Sequence, residues 1–364
     1  MKVLIVITQG KIGGASNSVF LLAKGLKKKG IKVKVGFGEG DYLKEKLKKE
    51  KIPFVNFKWL KRTHNPLFNL LFIFEIKKFL EKEPFDVCHF NSTNALFGAL
   101  GAKISKGRPK TIFTVRGLSI LDPHYRKNFF LKIIYWLVFR FLFLFVNHIV
   151  FVSKQNLKDA QKIKLTNKGI VIYNGILEPQ FLEREVARKF FEEKLNIDLE
   201  EKFLIGSIGR LDYSKNYDFL IKVFSEILKI KENAVGLIIG NGPERKKLER
   251  LIEKLNLKEK FFLFQEIPEA SQYLKAFDLF VLPSRYEGLS LSLIETLFAQ
   301  VPTIASNVGG NKEIIGNEFV FSFNNKESFL KIFQKALNSK FEFQKRKFFS
   351  FGRCLKEYLK LYFQ

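Results

Sequence analysis

A chain of 364 residues, 46% of them hydrophobic, is long enough for two full cores and too apolar for disorder. Two cysteines, Cys88 and Cys354, exclude a disulfide framework and suit a reducing compartment. The formal net charge of +27 lies mostly in residues 1–170, where 33 basic side chains face 10 acidic ones. Residues 171–364 hold 30 and 26, so an anionic partner is expected for the first half alone.

"MKVLIVITQG" at the start is too short for a signal-peptide core and reads as a first strand. A glycine-rich loop and a helix ending near Gly30 follow. "KVKVGF" (32–37), "FDVCHF" (85–90), "KTIFTV" (110–115) and "HIVFVS" (148–153) read as further strands with helices between them. The pattern restarts after "GIVIYNGILEPQF" (169–181). Strands are then expected in "FLIGSIGRL" (203–211), "AVGLIIGNG" (234–242), "KFFLFQ" (260–265), "DLFVLPS" (278–284) and "VPTIAS" (301–306). Continuous apolar strands alternating with helices imply parallel sheets covered on both faces. The fold expected is α/β, two doubly wound Rossmann-like domains whose strand ends face each other across a cleft. Their limits are set at 1–172 and 173–345, with a C-terminal helix in 346–364 packing back on the first domain.

Open sheets of this kind bind ligands at the carboxyl ends of their strands. In "PSRYEGLSLSLIETLFAQVP" (283–302) a strand-end loop carries Glu287 and the following helix carries Glu295. Eight residues separate them, about 80° around a helix, so both can lean toward one site. The amides of Gly288, Leu289 and Ser290 at the helix start favour phosphate, and a carboxylate one turn further in suits a ribose diol. Two glutamates on a helix flank are the plain structural alternative. "SIGRLDYSKN" (207–216) brings Arg210 and Lys215 to another strand end, a pair of cations suited to a diphosphate. "TQGKIGGAS" (8–16) offers Gly13 and Gly14 in a loop that an anion could approach closely. It is neither a P-loop nor a dinucleotide fingerprint.

The ordered set GGAS, VIYNGI, IGRLDYSKN, IGNGPE, LPSRYEG–E and NVGGNKEI resembles the GT4 family (glycosyl transferases group 1) of retaining glycosyltransferases with the GT-B fold. The likeness runs from residue 1 to about 335. It implies that Glu295 holds the ribose hydroxyls of a nucleotide sugar and that Glu287 lies beside the donor sugar. Backbone of Gly288, Leu289 and Ser290 would take phosphate oxygens, and Arg210 and Lys215 would neutralise the leaving diphosphate. Gly13 and Gly14 would belong to the loop that closes on diphosphate and acceptor. Arg210, Lys215 and Glu287 are then the catalytic set.

Two positions depart from the pattern or stay open. Val115-Arg116-Gly117 stands where many relatives carry a histidine that reaches the donor sugar, and Arg116 is a candidate for donor or acceptor contact or for an ion pair. His89 in "DVCHFNS" is a candidate contact or a core histidine. No Asp-x-Asp or His/Cys cluster offers a metal site, and no cofactor beyond the nucleotide-sugar donor is expected, a UDP-sugar before a GDP-sugar.

Basic and aromatic residues cluster in 43–72 and 124–141. Lys58, Trp59, Lys61 and Arg62 fall in the first; Lys132, Trp136 and Arg140 form a four-residue-spaced stripe in the second. Such stretches suit an anionic membrane surface. The closest candidate for a span, Phe141 to Ser153, is too short to cross a bilayer, which needs ~18 uncharged apolar residues. The enzyme is therefore expected in the cytoplasm, peripheral on the inner face of the cell membrane, acting on a lipid-linked or glycan acceptor in polysaccharide or lipopolysaccharide assembly. No motif supports nucleic acid as a partner. The rival readings are a non-catalytic nucleotide-sugar or polyanion binder, and a sugar-nucleotide epimerase.

Overall fold

The computed structural model describes residues 1–125 and 129–364. The branched and aromatic runs of the first half form seven parallel strands: β1 (Lys2–Gln9), β2 (Lys32–Glu39), β3 (Phe54–Asn56), β4 (Val87–Asn91), β5 (Lys110–Val115), β6 (His148–Phe151) and β7 (Ile170–Val171). Their order in the sheet is β3-β2-β1-β4-β5-β6-β7. All five residues of β4 are buried, as expected for a strand covered on both faces. Helices α1 (Gly14–Lys28), α2 (Asp41–Lys49), α3 (Pro66–Lys82), α4 (Phe97–Lys103), α5 (Phe129–Leu142) and α6 (Lys154–Lys162) lie between them. Gly101 lets α4 approach α3 closely, since a Cβ there would stand 2.6 Å from the Ile73 carbonyl oxygen.

The second half repeats the plan. Strands β8 (Phe203–Ile208), β9 (Ala234–Ile239), β10 (Phe261–Phe264), β11 (Leu279–Leu282), β12 (Thr303–Ser306) and β13 (Val320–Phe321) are all parallel, in the order β10-β9-β8-β11-β12-β13. Helices α7 (Arg184–Leu195), α8 (Tyr217–Ile230), α9 (Arg245–Lys254), α10 (Leu291–Ala299), α11 (Asn311–Ile315) and α12 (Lys326–Leu337) accompany them. In each sheet the strand order reverses beside the first strand, between β1 and β4 and between β8 and β11. That reversal opens a crevice at the carboxyl ends, where doubly wound sheets take their ligands.

The last helix, α13 (Phe351–Phe363), belongs to the first unit. Its Leu355, Tyr358, Leu361 and Tyr362 join Val3, Ile5 and Ile7 of β1 in one core with α1 and α2. The units divide at Gly175/Ile176 and Phe349/Ser350, a few residues beyond the limits set from sequence. The second unit also takes in Asp122–Tyr125, where the His124 carbonyl accepts from Tyr213 Oη at 3.1 Å. Sequence patterning gave no sign of that excursion. The short strands β3, β7 and β13 were also absent from it, because two or three residues carry no readable period.

Candidate active site

Both loops flanking the second switch point are held rigid by the residues within them. After β8, Asp212 Oδ1 accepts from the Ser214 amide at 3.0 Å and turns the chain. Asn216 then adopts a left-handed conformation with φ of 55°, which asparagine tolerates better than most side chains. Its amide donates to the Pro283 carbonyl at 3.1 Å, tying this loop to the one after β11. Arg285 makes a second tie: Nε donates to the Tyr213 carbonyl at 3.0 Å and Nη2 to Asp218 Oδ1 at 2.8 Å, and the guanidinium stacks on the Tyr213 ring. A third brace comes from Gly309, with φ of +50°. A Cβ there would lie 2.1 Å from the Glu287 carbonyl oxygen, so only glycine lets the 307–310 turn support Glu287.

The braced loops bring Lys215 and Glu287 together. Lys215 Nζ donates to Glu287 Oε1 at 2.6 Å, and Ser284 Oγ donates to the same oxygen at 2.8 Å. Both charged side chains are largely buried. Burial is the strongest influence on the Lys215 ammonium and pulls its pKa down, but Glu287, Tyr217 and Asp212 outweigh it and leave the lysine above its ordinary value. The cation is thus permanently charged and fixed in place. Arg210 differs: its side chain is 60% exposed, and its Nε is 3.7 Å from Asp212 Oδ2. A mobile cation beside a fixed one can follow and clamp a polyanion.

Glu295 lies in the second turn of α10, partly buried. Among the described residues no donor pairs with its carboxylate, and burial pushes its pKa up to about 7. Ser290 caps that helix, its Oγ accepting from the Leu293 amide at 3.4 Å; Gly288 and Leu289 lead into the cap and are buried. Gly240 and Gly242 of the G-x-G have a packing role. A Cβ on either would strike the carbonyl oxygen of Gly209 or Leu211, at 2.0 and 2.3 Å.

In the first unit Gly13 and Gly14 are exposed at the start of α1, and a Cβ on Gly13 would meet nothing within 4 Å. His89 proves to be a core residue rather than a ligand contact. It is fully buried, with Nδ1 bonded to Tyr362 Oη at 2.6 Å and Nε2 to Thr114 Oγ1 at 2.7 Å. Burial, aided by the nearby Arg116 charge, lowers its pKa to about 3 and keeps it neutral. Arg116 makes no ion pair among the described residues and bonds instead to Asn91 and Asn174.

The basic-aromatic residues also sort differently from their spacing. Trp136 Nε1 donates to the Ile163 carbonyl at 2.8 Å and Arg140 to the Lys164 carbonyl at 2.7 Å, so both secure the end of α6. Lys132 is partly buried on the same helix, and Lys61 is paired with Glu39. Lys58 and Arg62 are exposed, and the Lys58 ammonium lies 4.8 Å from the centre of the half-buried Trp59 ring. Arg126 and Lys127 of the second cluster lie outside the described residues. Besides Arg140, α5 exposes apolar residues: Phe129, Phe130, Ile133, Ile134, Leu137 and Phe141. Sequence reasoning passed over Arg285, Asp218 and Ser284, although Ser284 and Arg285 stand inside the quoted PSRYEG segment. A bond across 67 residues reveals Arg285 and Asp218, and the bond to Glu287 three positions on reveals Ser284.

The glycosyltransferase family 4 description matches residues 12–177, and glycosyl transferases group 1 matches 187–349. This chain belongs to the GT4-type glycosyltransferases. It is 26% identical over 283 residues to the Escherichia coli UDP-Gal:alpha-D-GlcNAc-diphosphoundecaprenol alpha-1,3-galactosyltransferase, covering 74% of this chain and 70% of that one. It is 29% identical over 213 residues to a Campylobacter jejuni enzyme named N-acetylgalactosamine-N,N'-diacetylbacillosaminyl-diphospho-undecaprenol 4-alpha-N-acetylgalactosaminyltransferase, covering 57% and 55%. Among solved structures, Anabaena HepE in complex with UDP and glucose superposes with a TM-score of 0.81 at 19% identity, covering 99% of both chains. That likeness establishes the GT-B fold of this glycosyltransferase.

Proposed function

We propose that this glycosyltransferase moves a sugar, with retention of configuration, from a nucleoside diphosphate, UDP before GDP, to a lipid-linked acceptor in surface-glycan assembly. The observation that carries the reading is Glu295: a partly buried carboxylate with no donor of its own, in the helix that follows the fixed Lys215–Glu287 pair. Among the described residues no donor reaches this carboxylate, and a ribose diol supplies the two O–H donors that would satisfy it. Donor and acceptor names among the relatives, with UDP-Gal and diphosphoundecaprenol, support the substrate classes.

In the step proposed, the bond from the anomeric carbon to the diphosphate oxygen breaks and the acceptor hydroxyl bonds to that carbon on the same face. The acceptor proton passes to a leaving phosphate oxygen. Lys215 and Arg210 neutralise the charge that develops there, work that needs no metal in this reading. Glu287 holds Lys215 charged and placed. The test is thermal melting with UDP-, GDP- and ADP-sugars: a true donor at 100 times its dissociation constant adds about 2.7 kcal/mol. No shift with any sugar nucleotide would sink the reading.

The second part of the reading is the place of action, the surface of an anionic bilayer at the inner face of the cell membrane. No helix among the described residues is long and apolar enough to cross a membrane. Support comes from the basic excess of the first half and from the apolar faces of α5 and α3, where Phe130, Leu137 and Phe141, and Leu67, Leu70 and Phe74, are more than half exposed or close to it. His64 Nδ1 meets Tyr135 Oη at 2.5 Å and links the start of α3 to α5. An aromatic-rich ridge on a basic domain fits an interfacial helix better than water. Replacing Ile134, Leu137 and Phe141 together by Ser should reduce binding to anionic vesicles without lowering the melting temperature. Unchanged vesicle binding would remove α5 from the interface.

A further inference from the structure

Asn91 closes β4 and Arg116 follows β5, its neighbour, at the carboxyl edge beside the first sheet's switch point. Arg116 Nε and Nη2 donate to Asn91 Oδ1 at 3.1 and 2.9 Å, and Nη1 donates to Asn174 Oδ1 at 2.6 Å. A guanidinium carries five N–H groups in a fixed fork. Three are engaged, which leaves one on each terminal nitrogen without a protein acceptor among the described residues.

The charge is uncompensated as well. Elsewhere the partly buried arginines meet carboxylates: Arg188 with Asp278, Arg285 with Asp218, Arg353 with Glu357. Among the described residues Arg116 meets only two amide oxygens. Both asparagines are buried, Asn91 fully and Asn174 to 8% exposure. With their oxygens turned onto the cation, their NH2 groups add donors to the same neighbourhood. Asn91 Nδ2 has a contact of 3.5 Å with the His89 carbonyl, and Asn174 Nδ2 has no acceptor among the described residues. A fixed guanidinium with two open N–H groups, beside an amide NH2 that has no protein acceptor among the described residues, is half of a bidentate anion site.

We propose that Arg116 and Asn174 form a phosphate-binding subsite of the first unit, and that it takes the diphosphate joining sugar to lipid in the acceptor. The subsite rests on the transfer reading above for the identity of its ligand, but not for its chemistry. The alternative source of the phosphate is the donor, and the two are separable by kinetics.

Arg116→Gln and Arg116→Lys are compared with the unaltered enzyme on two acceptors bearing one sugar, a polyprenyl diphosphate and a simple alkyl glycoside. Arg116→Gln should raise KM for the diphosphate acceptor by about tenfold or more, the loss of one charge-assisted pair, while KM for the alkyl glycoside and the donor stays within about twofold. Arg116→Lys should recover part of the loss, since the charge returns without the fork. Equal losses on both acceptors would reduce Arg116 to a brace between β4, β5 and the Asn174 segment, and a raised donor KM would assign the phosphate to the donor. Either result overturns the proposal.

A second arm needs no turnover. Inorganic pyrophosphate is titrated calorimetrically into Arg210→Ala and into Arg210→Ala with Arg116→Gln. Loss of the remaining binding in the double variant sustains the anion site even if no sugar transfer is found. Unchanged binding overturns it.

Discussion

At the carboxyl edge of the second sheet Lys215 meets Glu287 and Arg285 meets Asp218, whereas at the same edge of the first sheet Arg116, among the described residues, meets only the amides of Asn91 and Asn174. The same architecture therefore carries compensated cations in one unit and an uncompensated one in the other. Compensation fixes a side chain and holds its charge without a ligand. Its absence leaves a charge that an incoming anion can satisfy. Buried titratable groups separate the units in a second way. His89 is neutral with both nitrogens bonded, and Glu295 has no bonded partner among the described residues. One is finished by the fold; the other has no donor among the described residues.

The compensated pair gives the largest expected effect. Lys215→Ala should lower turnover by roughly 10²-fold or more if the lysine stabilises the leaving diphosphate. It should also destabilise by about 3–5 kcal/mol, because the largely buried Glu287 carboxylate loses its cation. Arg210→Ala should lower turnover comparably while leaving melting unchanged, since that side chain is mostly solvated. Calorimetric melting measured beside initial rates separates the two. Near-normal turnover in both variants would end the leaving-group role.

Gly309→Ala strikes a brace instead of a charge. With φ of +50° and a Cβ placed 2.1 Å from the Glu287 carbonyl oxygen, it should cost about 1–3 kcal/mol and displace Glu287. A denaturant midpoint equal to that of the unaltered enzyme would show that the turn supports nothing.

The pH responses of the two units should oppose each other. Glu295 has a folded pKa raised to about 7, so the folded state binds the proton more tightly than the unfolded chain. Its ionisation destabilises the fold as pH rises from about 4.5 through 7. Glu295→Gln should remove that loss and melt above the unaltered enzyme at pH 8, but not at pH 4.5. His89 has a folded pKa lowered to about 3, so stability from it is present above 6.5 and is lost as pH falls toward 3. His89→Phe should flatten the acid limb at a cost of about 1–3 kcal/mol for the unpaired Tyr362 hydroxyl. Melting curves of both variants from pH 4 to 8 check the signs. Parallel curves for all three proteins would break the comparison.

Nucleotide binding gives the smallest and most specific effect. If Glu295 grips a ribose diol, Glu295→Gln should weaken UDP binding by about 1–3 kcal/mol in isothermal titration. An unchanged dissociation constant with reduced turnover would move Glu295 from the ribose to the sugar.

The sequence by itself determined the alternation of strands and helices, because parallel strands buried on both faces must be continuously apolar and the helices between them periodic. It also located the loops that hold Lys215 and Glu287 and the helix that carries Glu295, since ligands of such sheets gather where strands end. Tertiary structure alone decided what each polar group faces. His89 became a core residue because α13, more than 250 positions away, brings Tyr362 to its ring. Trp136 and Arg140 share a stripe by spacing, yet carbonyls at the end of α6 accept from both, and an apolar ridge of α5 is exposed as well. Arg116 had an ion pair as one expectation, and the fold supplied two amides. Hydrophobic period is a property of neighbours in sequence, whereas the partner of a buried charge is set by whichever distant segment packing brings alongside it.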